Sequence, residues 1–314
     1  MKPVLFSLLA LGAALAQGQS SLDQRFREQL NAQPQPAWVG YTVPSVPGHD
    51  QTCDYGQGVR APGPVHLEPP DQVQILFRIE QNRVGKIRVI SADCQLDAGG
   101  LPIRWIRDVR PAESVALLSS LVVDRGRVSD GAVTAIALHA DSSADEALEK
   151  FAAAGQPDSL REKAVFWMGA ARGRRGYEVL RRIVAQDASD RIRDKAVFAL
   201  SVSKEPQAVD TMIAVARNDA SSHVRGQALF WLAQKAGKKA VGAISDAVDR
   251  DPDTEVKKKA VFALQQLPDG EGVPMLIQVA RTNKNPAVRK QAMFWLGQSN
   301  DPRALAFFEE VLKR

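Results

Sequence analysis

The chain has 314 residues, 45% of them apolar and 25% charged, and a formal net charge of +5. These values exclude an intrinsically disordered chain and allow a sizeable core, and no apolar run after the first sixteen residues approaches the length of a membrane-spanning helix. The excess positive charge belongs to the second part: residues 17–124 carry 10 Lys+Arg against 12 Asp+Glu, and residues 125–314 carry 30 against 24, so a charge-attracted partner would meet the later residues.

In chain order, Lys2 precedes an uncharged apolar run over residues 3–15, and Ala14-Leu15-Ala16 supplies the small residues that flank a signal-peptidase cut. The pattern predicts an export signal over residues 1–16 and a periplasmic or secreted protein, with a retained anchor helix as the alternative. Residues 17–37 place Leu22, Phe26 and Leu30 at i, i+4 and i+8 ahead of Gln33-Pro34-Gln35-Pro36, which predicts a short amphipathic helix docked on the body, then a stiff linker. Residues 38–107 read as a small β-rich unit. Runs at 73–79 and 86–90 predict a hairpin around Gln81-Asn82-Arg83, and 101–106 a further strand. Two cysteines, Cys53 and Cys94, are expected to form a disulfide if the chain is exported, with two free thiols as the alternative. His49-Asp50 and His66 fall in Pro- and Gly-rich loops without a nucleophile motif beside them. Residues 108–124 predict a helix over 111–123 that covers the open end of a stack built by the residues after it.

Residues 125–314 are periodic at 32 residues. Ala164-Val165-Phe166-Trp167-Met168 returns as Ala196-Val197-Phe198-Ala199-Leu200, Ala228-Leu229-Phe230-Trp231-Leu232, Ala260-Val261-Phe262-Ala263-Leu264 and Ala292-Met293-Phe294-Trp295-Leu296, with a worn copy at Ala132-Val133-Thr134-Ala135-Ile136. Six copies without an insertion specify a repeat protein. Each unit divides into two helices. The first is announced by Val128, Leu160, Ile192, Val224, Val256 and Val288, with Asp158, Asp190 and Ser222 as capping side chains. The second runs through Leu148, Leu180, Met212, Ile244, Leu276 and Phe308, with Phe151, Ile183, Val215, Ala247, Val279 and Val311 three residues on. A helix pair this short cannot bury both faces alone, so neighbouring pairs must stack.

The aliphatic residue, the basic residue after it, the alanine and the aliphatic residue eight after the first, here Leu160-Arg161, Ala164 and Met168, resemble the short HEAT repeat, the subclass also called phycobilisome-lyase-like. The resemblance covers residues 125–314. It implies a mainly α fold, a right-handed α-α superhelix of about six repeats carrying the N-terminal β-rich unit, and a scaffold or binding role. It also implies that the basic column Arg161, Arg193, Arg225, Lys257 and Arg289 bridges to carboxylates of the capping turns.

Two surface features stand out as partner-binding candidates. Phe166, Phe198, Phe230, Phe262 and Phe294 fall opposite the core-facing residues of the first helix. At about 10 Å per stacked helix they would form an apolar stripe about 40 Å long, unless side-to-side packing or the N-terminal unit covers it. Trp167, Trp231 and Trp295 alternate with Ala199 and Ala263, which suits large-into-small core packing. Arg172, Arg174 and Arg175, with Lys235, Lys238 and Lys239, predict two basic clusters on one edge, suited to an acidic or polyanionic envelope component. No phosphate loop, metal-ligand spacing or hydrolase elbow is present, so no catalytic, cofactor or metal residue is assigned. The expected function is an exported protein-interaction scaffold or adaptor without nucleic acid. Two alternatives stand: an enzyme or enzyme accessory with its site around His49, Asp50, Tyr55 or His66, and a binder of an acidic envelope partner.

Overall fold

A computed structural model describes residues 20–48, 53, 71–123 and 126–313. Helix α1 (Leu22–Asn31) starts where Ser21 Oγ accepts the Gln24 amide, and it buries Leu22 and Phe26; the Phe26 ring meets Phe77 edge-on at 4.8 Å. The amphipathic segment therefore docks on the body.

Strands β1 (Ala37–Pro44), β2 (Gln72–Glu80), β3 (Arg83–Ser91) and β4 (Ile103–Trp105) form one sheet in the order β3-β2-β1-β4. β2 pairs antiparallel with β1 and β3, and β4 joins β1 in parallel. The hairpin turn is Gln81-Asn82, both at positive φ, the backbone that matches strand twist in a two-residue loop. No strand is expected from sequence at 37–44, where Gly40 and Pro44 interrupt the pattern. Gly40 leaves room for its neighbours there: a Cβ would lie 2.7 Å from Leu76 Cδ2 and 3.0 Å from the Trp105 ring, so one of these side chains would have to shift.

Helix α2 (Pro111–Ser120) opens with Pro at its first turn. Six helix pairs come after it: α3 (Arg127–Leu138) with α4 (Ser142–Ala152), α5 (Asp158–Ala171) with α6 (Gly173–Gln186), α7 (Asp190–Val202) with α8 (Ala208–Asn218), α9 (Ser222–Ala236) with α10 (Val241–Arg250), α11 (Thr254–Gln265) with α12 (Val273–Thr282), and α13 (Pro286–Gly297) with α14 (Pro302–Leu312). First helix packs on first helix along the array. The alanine column Ala132, Ala164, Ala196, Ala228, Ala260 and Ala292 is fully buried. One hydrophobic core runs from Leu22 and the sheet through every pair to Phe307. The sheet reaches that core through Gly131 of α3, where a Cβ would lie 2.8 Å from Ile87 of β3.

Two local expectations are corrected. Asp158, Asp190 and Ser222 are first helical residues; the caps are one residue earlier, at Pro157, Ser189 and Ser221. In the last repeat Phe308 is only partly buried and Val311 is 41% exposed, while Ala304 and Phe307 are buried instead. Asp301 caps α14 through the Arg303 amide with Pro302 in its first turn, and among the described residues no further helix pair covers Phe308 as the next pair covers Leu276.

The Cys53–Cys94 disulfide is present. Its sequence separation of 41 implies a loop-closure contribution of about 4 kcal/mol in the chain-entropy model. Replacing both cysteines by serine is expected to lower stability by about 3 kcal/mol, measured by urea unfolding with a probe in the sheet such as Trp38 fluorescence. An unchanged midpoint would show that the shared core alone holds the sheet.

Candidate partner-binding surfaces

The phenylalanine column is a continuous ladder. Phe166 and Phe198 stack at 6.0 Å with an interplanar angle of 16°, and Phe230 and Phe262 at 6.0 Å and 5°. The tryptophans join these pairs while also packing against the core as expected. Trp231 lies 4.7 Å from Phe198 and 4.8 Å from Phe230, and Trp295 lies 4.9 Å from both Phe262 and Phe294. Trp167 closes the first end against Phe166 at 5.2 Å. All three tryptophans are half-buried, whereas Ala199 and Ala263 at the same register are fully buried. Trp231 and Trp295 thus each lean on the phenylalanine of the alanine-bearing repeat before them. The signal was available in the sequence: Lys163, Phe166, Trp167 and Ala170 fall at i, i+3, i+4 and i+7 on one helical face.

Ring faces are spent against one another, and such contacts contribute about 0.5–1.5 kcal/mol per pair beyond burial. Ring edges remain open. Phe166, Phe198, Phe230 and Phe262 are half-buried and Phe294 is 53% exposed. Along one side run half-buried Lys163, Lys195 and Lys259, Lys163 pairing with Asp130. Along the other run Gln234 and Gln266, Gln234 Nε2 donating a 3.2 Å hydrogen bond to Gln266 Oε1. The surface is therefore an apolar strip between rows of ammonium and amide groups.

The basic column is architectural. Arg193 donates to both carboxylate oxygens of Asp219 at 2.8 and 2.9 Å, and Arg225 to those of Asp251 at 2.8 and 3.0 Å. Arg161 pairs with Asp187. The hydrogen bonds to these guanidinium groups hold Arg193 and Arg225 above their ordinary pKa, and those to Asp219 outweigh burial and hold it below the carboxylate range. Asn283, 26 residues after Lys257, takes the carboxylate's place there, and Lys257 donates instead to the Asp249 carbonyl at 2.7 Å. Arg289 donates to the Asn283 carbonyl at 2.7 Å, so the expected carboxylate bridge is corrected for these two.

The six turn cations divide. Arg172 is buried, its Nε on Asp145 at 2.7 Å and its Nη1 on the carbonyls of Ala137 and His139 at 3.0 and 2.6 Å. Lys235 repeats this two repeats later, donating to the carbonyls of Ser201 and Ser203 at 2.9 and 2.6 Å, and burial lowers its pKa. Both cations cap the end of the preceding first helix and leave no free charge cluster at their positions. Arg174 pairs with Glu178, Arg175 with Glu149 and Lys238 with Glu271; Lys239 is exposed.

One buried polar chain was not anticipated. His139 Nδ1 lies 2.7 Å from the Ala135 carbonyl, which only accepts, so Nδ1 carries the proton and Nε2 accepts from Ser114 Oγ at 2.9 Å. Ser114 in turn accepts from the Tyr41 hydroxyl at 2.7 Å. Ser114 and His139 have the spacing of a nucleophile and its base, yet both are 0% exposed. They join β1, α2 and α3. His49, Asp50, Tyr55 and His66 lie outside the described residues.

Residues 241–314 match the family of HEAT repeats. The match covers α10 to α14, and the array of helix pairs is that of a HEAT-type solenoid. Three solved structures are similar to part of the chain at low identity. Human deoxyhypusine hydroxylase in complex with glycerol is 16% identical over 64% of this chain and 76% of its own, with a TM-score of 0.33. YibA of Escherichia coli is 18% identical over 67% and 82%, with a TM-score of 0.42. The complex of CpcE and CpcF of phycocyanin lyase from Nostoc sp. PCC7120 is 17% identical over 65% and 80%, with a TM-score of 0.33. No curated protein matches the chain. Within the HEAT array, the second helices leave a groove of about 560 Å³ where α6 and α8 end, lined by Arg181, Val184, Asp187, Thr211, Asn218 and Asp219. No helix among the described residues is long and apolar enough to cross a membrane.

Proposed function

We propose that this HEAT-repeat protein is an exported adaptor that docks a protein partner along the aromatic ladder. The observation that carries the reading is the ladder itself: eight rings in unbroken contact from Trp167 to Phe294, with their edges open and no described element over them. An apolar strip of this length rimmed by polar groups marks an interaction site. The lysine row beside it favours a partner segment with apolar side chains flanked by carboxylates. Export is supported by the apolar run of residues 3–15 and by the pairing of the only two cysteines, a bond that persists in oxidising compartments. The basic turns support an acidic partner less, because Arg172 and Lys235 are committed inside the array.

Affinity capture from envelope extract tests the proposal. Changing Phe166, Phe198, Phe230, Phe262 and Phe294 to Ser is expected to reduce capture by about tenfold or more, and so is changing Lys163, Lys195 and Lys259 to Glu, with helicity retained by circular dichroism. Equal capture by both folded variants and the unaltered chain would overturn it.

A further inference from the structure

The face of α13 and α14 that turns away from the array is apolar. The column Val165, Val197, Leu229 and Val261 is fully buried because the next first helix covers each residue, but Met293 in the same column is 37% exposed. Leu305 is 63% exposed and Leu312 86%. These residues belong to two stripes: Lys290, Met293, Phe294 and Gly297 at i, i+3, i+4 and i+7 of α13, and Leu305, Phe308, Glu309 and Leu312 at the same spacing on α14. The stripes adjoin, because a Cβ on Gly297 would lie 3.9 Å from the Phe308 ring. Among the described residues nothing packs over them, and neither Lys290 nor Glu309, both exposed, is in an ion pair.

We propose that a second copy of this chain covers this face, with α13 of one copy lying on α14 of the other about a two-fold axis parallel to the helices. The charges select that occupant. Because α13 and α14 are antiparallel neighbours, Lys290 in the first half of α13 and Glu309 in the second half of α14 lie at similar heights on the face. A two-fold axis along the helices turns α13 of one copy onto α14 of its partner without reversing height, so each Lys290 meets a Glu309 across the interface, twice per dimer. Met293 meets Leu305 in the same way. The patch is thus complementary to itself, as an isologous contact requires. Two helices of ~18 Å each present a contact at the small end of specific interfaces, so the dimer forms in the micromolar rather than the nanomolar range.

Sedimentation equilibrium of the purified chain over a concentration series tests this. The unaltered chain is expected to pass from monomer to dimer. Lys290→Glu alone, or Glu309→Lys alone, sets like charges opposite each other and is expected to weaken association by about tenfold or more. The double variant Lys290→Glu with Glu309→Lys restores it, which loss of folding could not do. Met293→Glu with Leu305→Glu, at exposed positions, leaves the monomer folded and abolishes the dimer. A chain that stays monomeric at every concentration, or a dimer that ignores these substitutions, would overturn the proposal.

Discussion

Arg225→Ala lowers the unfolding free energy by about 3–5 kcal/mol in this account, through loss of a buried ion pair of the basic column. Arg225 is 8% and Asp251 9% exposed, so removing the guanidinium strands a largely buried carboxylate. Asp251 also accepts the Asp253 amide at 2.8 Å, and Arg225 accounts for the Asp219 carbonyl at 2.9 Å; one truncation therefore unsettles two inter-helix turns. Arg225→Lys rescues only part of the loss, because an ammonium cannot meet both carboxylate oxygens in plane. The contrast is Arg289→Ala, where the guanidinium meets only the carbonyls of Asn283 and Lys284; its effect is about 1 kcal/mol. Urea unfolding of the three variants measures the difference. Equal losses for Arg225→Ala and Arg289→Ala would contradict the burial argument.

Stability falls by about 3 kcal/mol between pH 6.5 and pH 4 through His139 alone. Burial pushes its pKa from 6.5 down to about 4, against the opposing pull of the Ala135 carbonyl and Asp141; Arg172 adds to the lowering. Above pH 6.5 neither folded nor unfolded chain charges this residue, and its contribution is complete. Below 6.5 the unfolded chain takes up a proton that the folded one refuses, so stability declines until the folded pKa is reached. Protonation also gives Nε2 a hydrogen that Ser114 Oγ must accept, which removes the acceptor that the Ser114 hydroxyl hydrogen had in this buried site. Carboxylates held below their ordinary range, such as Asp141 and Asp219, lose their contribution at lower pH than this window. His139→Gln flattens the decline between pH 6.5 and 4.5 in urea titrations. The same slope in variant and parent would assign the decline to other groups.

The array was legible because its signal is repeated. Six in-phase copies of an alanine flanked by aliphatic residues leave one way to bury both helices of each pair. The basic column was equally readable, since a cation beside a core aliphatic residue, with an aspartate 26 residues on, recurs from Arg161 to Arg225. Single-copy features were harder. β1 hid behind Gly40 and Pro44, and its pairing with β2 depends on residues far along the chain. The His139 chain joins Tyr41, Ser114 and His139 across separations of 73 and 25 residues, which no local pattern encodes. Arg172 looked like surface charge from its Gly- and Arg-rich surroundings; only the neighbouring repeat's free carbonyls draw it inward. The second contact of the tryptophans, with the phenylalanines, was hidden for a geometric reason. Large beside small at one register fits a core, but it fits equally a ring leaning across the outer surface onto the repeat before it.

Hydroxyl-radical footprinting of the chain alone, and of the complex recovered from envelope extract, tests the central claim most directly. The account predicts that Phe166, Phe198, Phe230 and Phe262 react in the free chain, through their open edges, and lose that reactivity together in the complex. Protection elsewhere, with the ladder phenylalanines equally reactive in both, would contradict it.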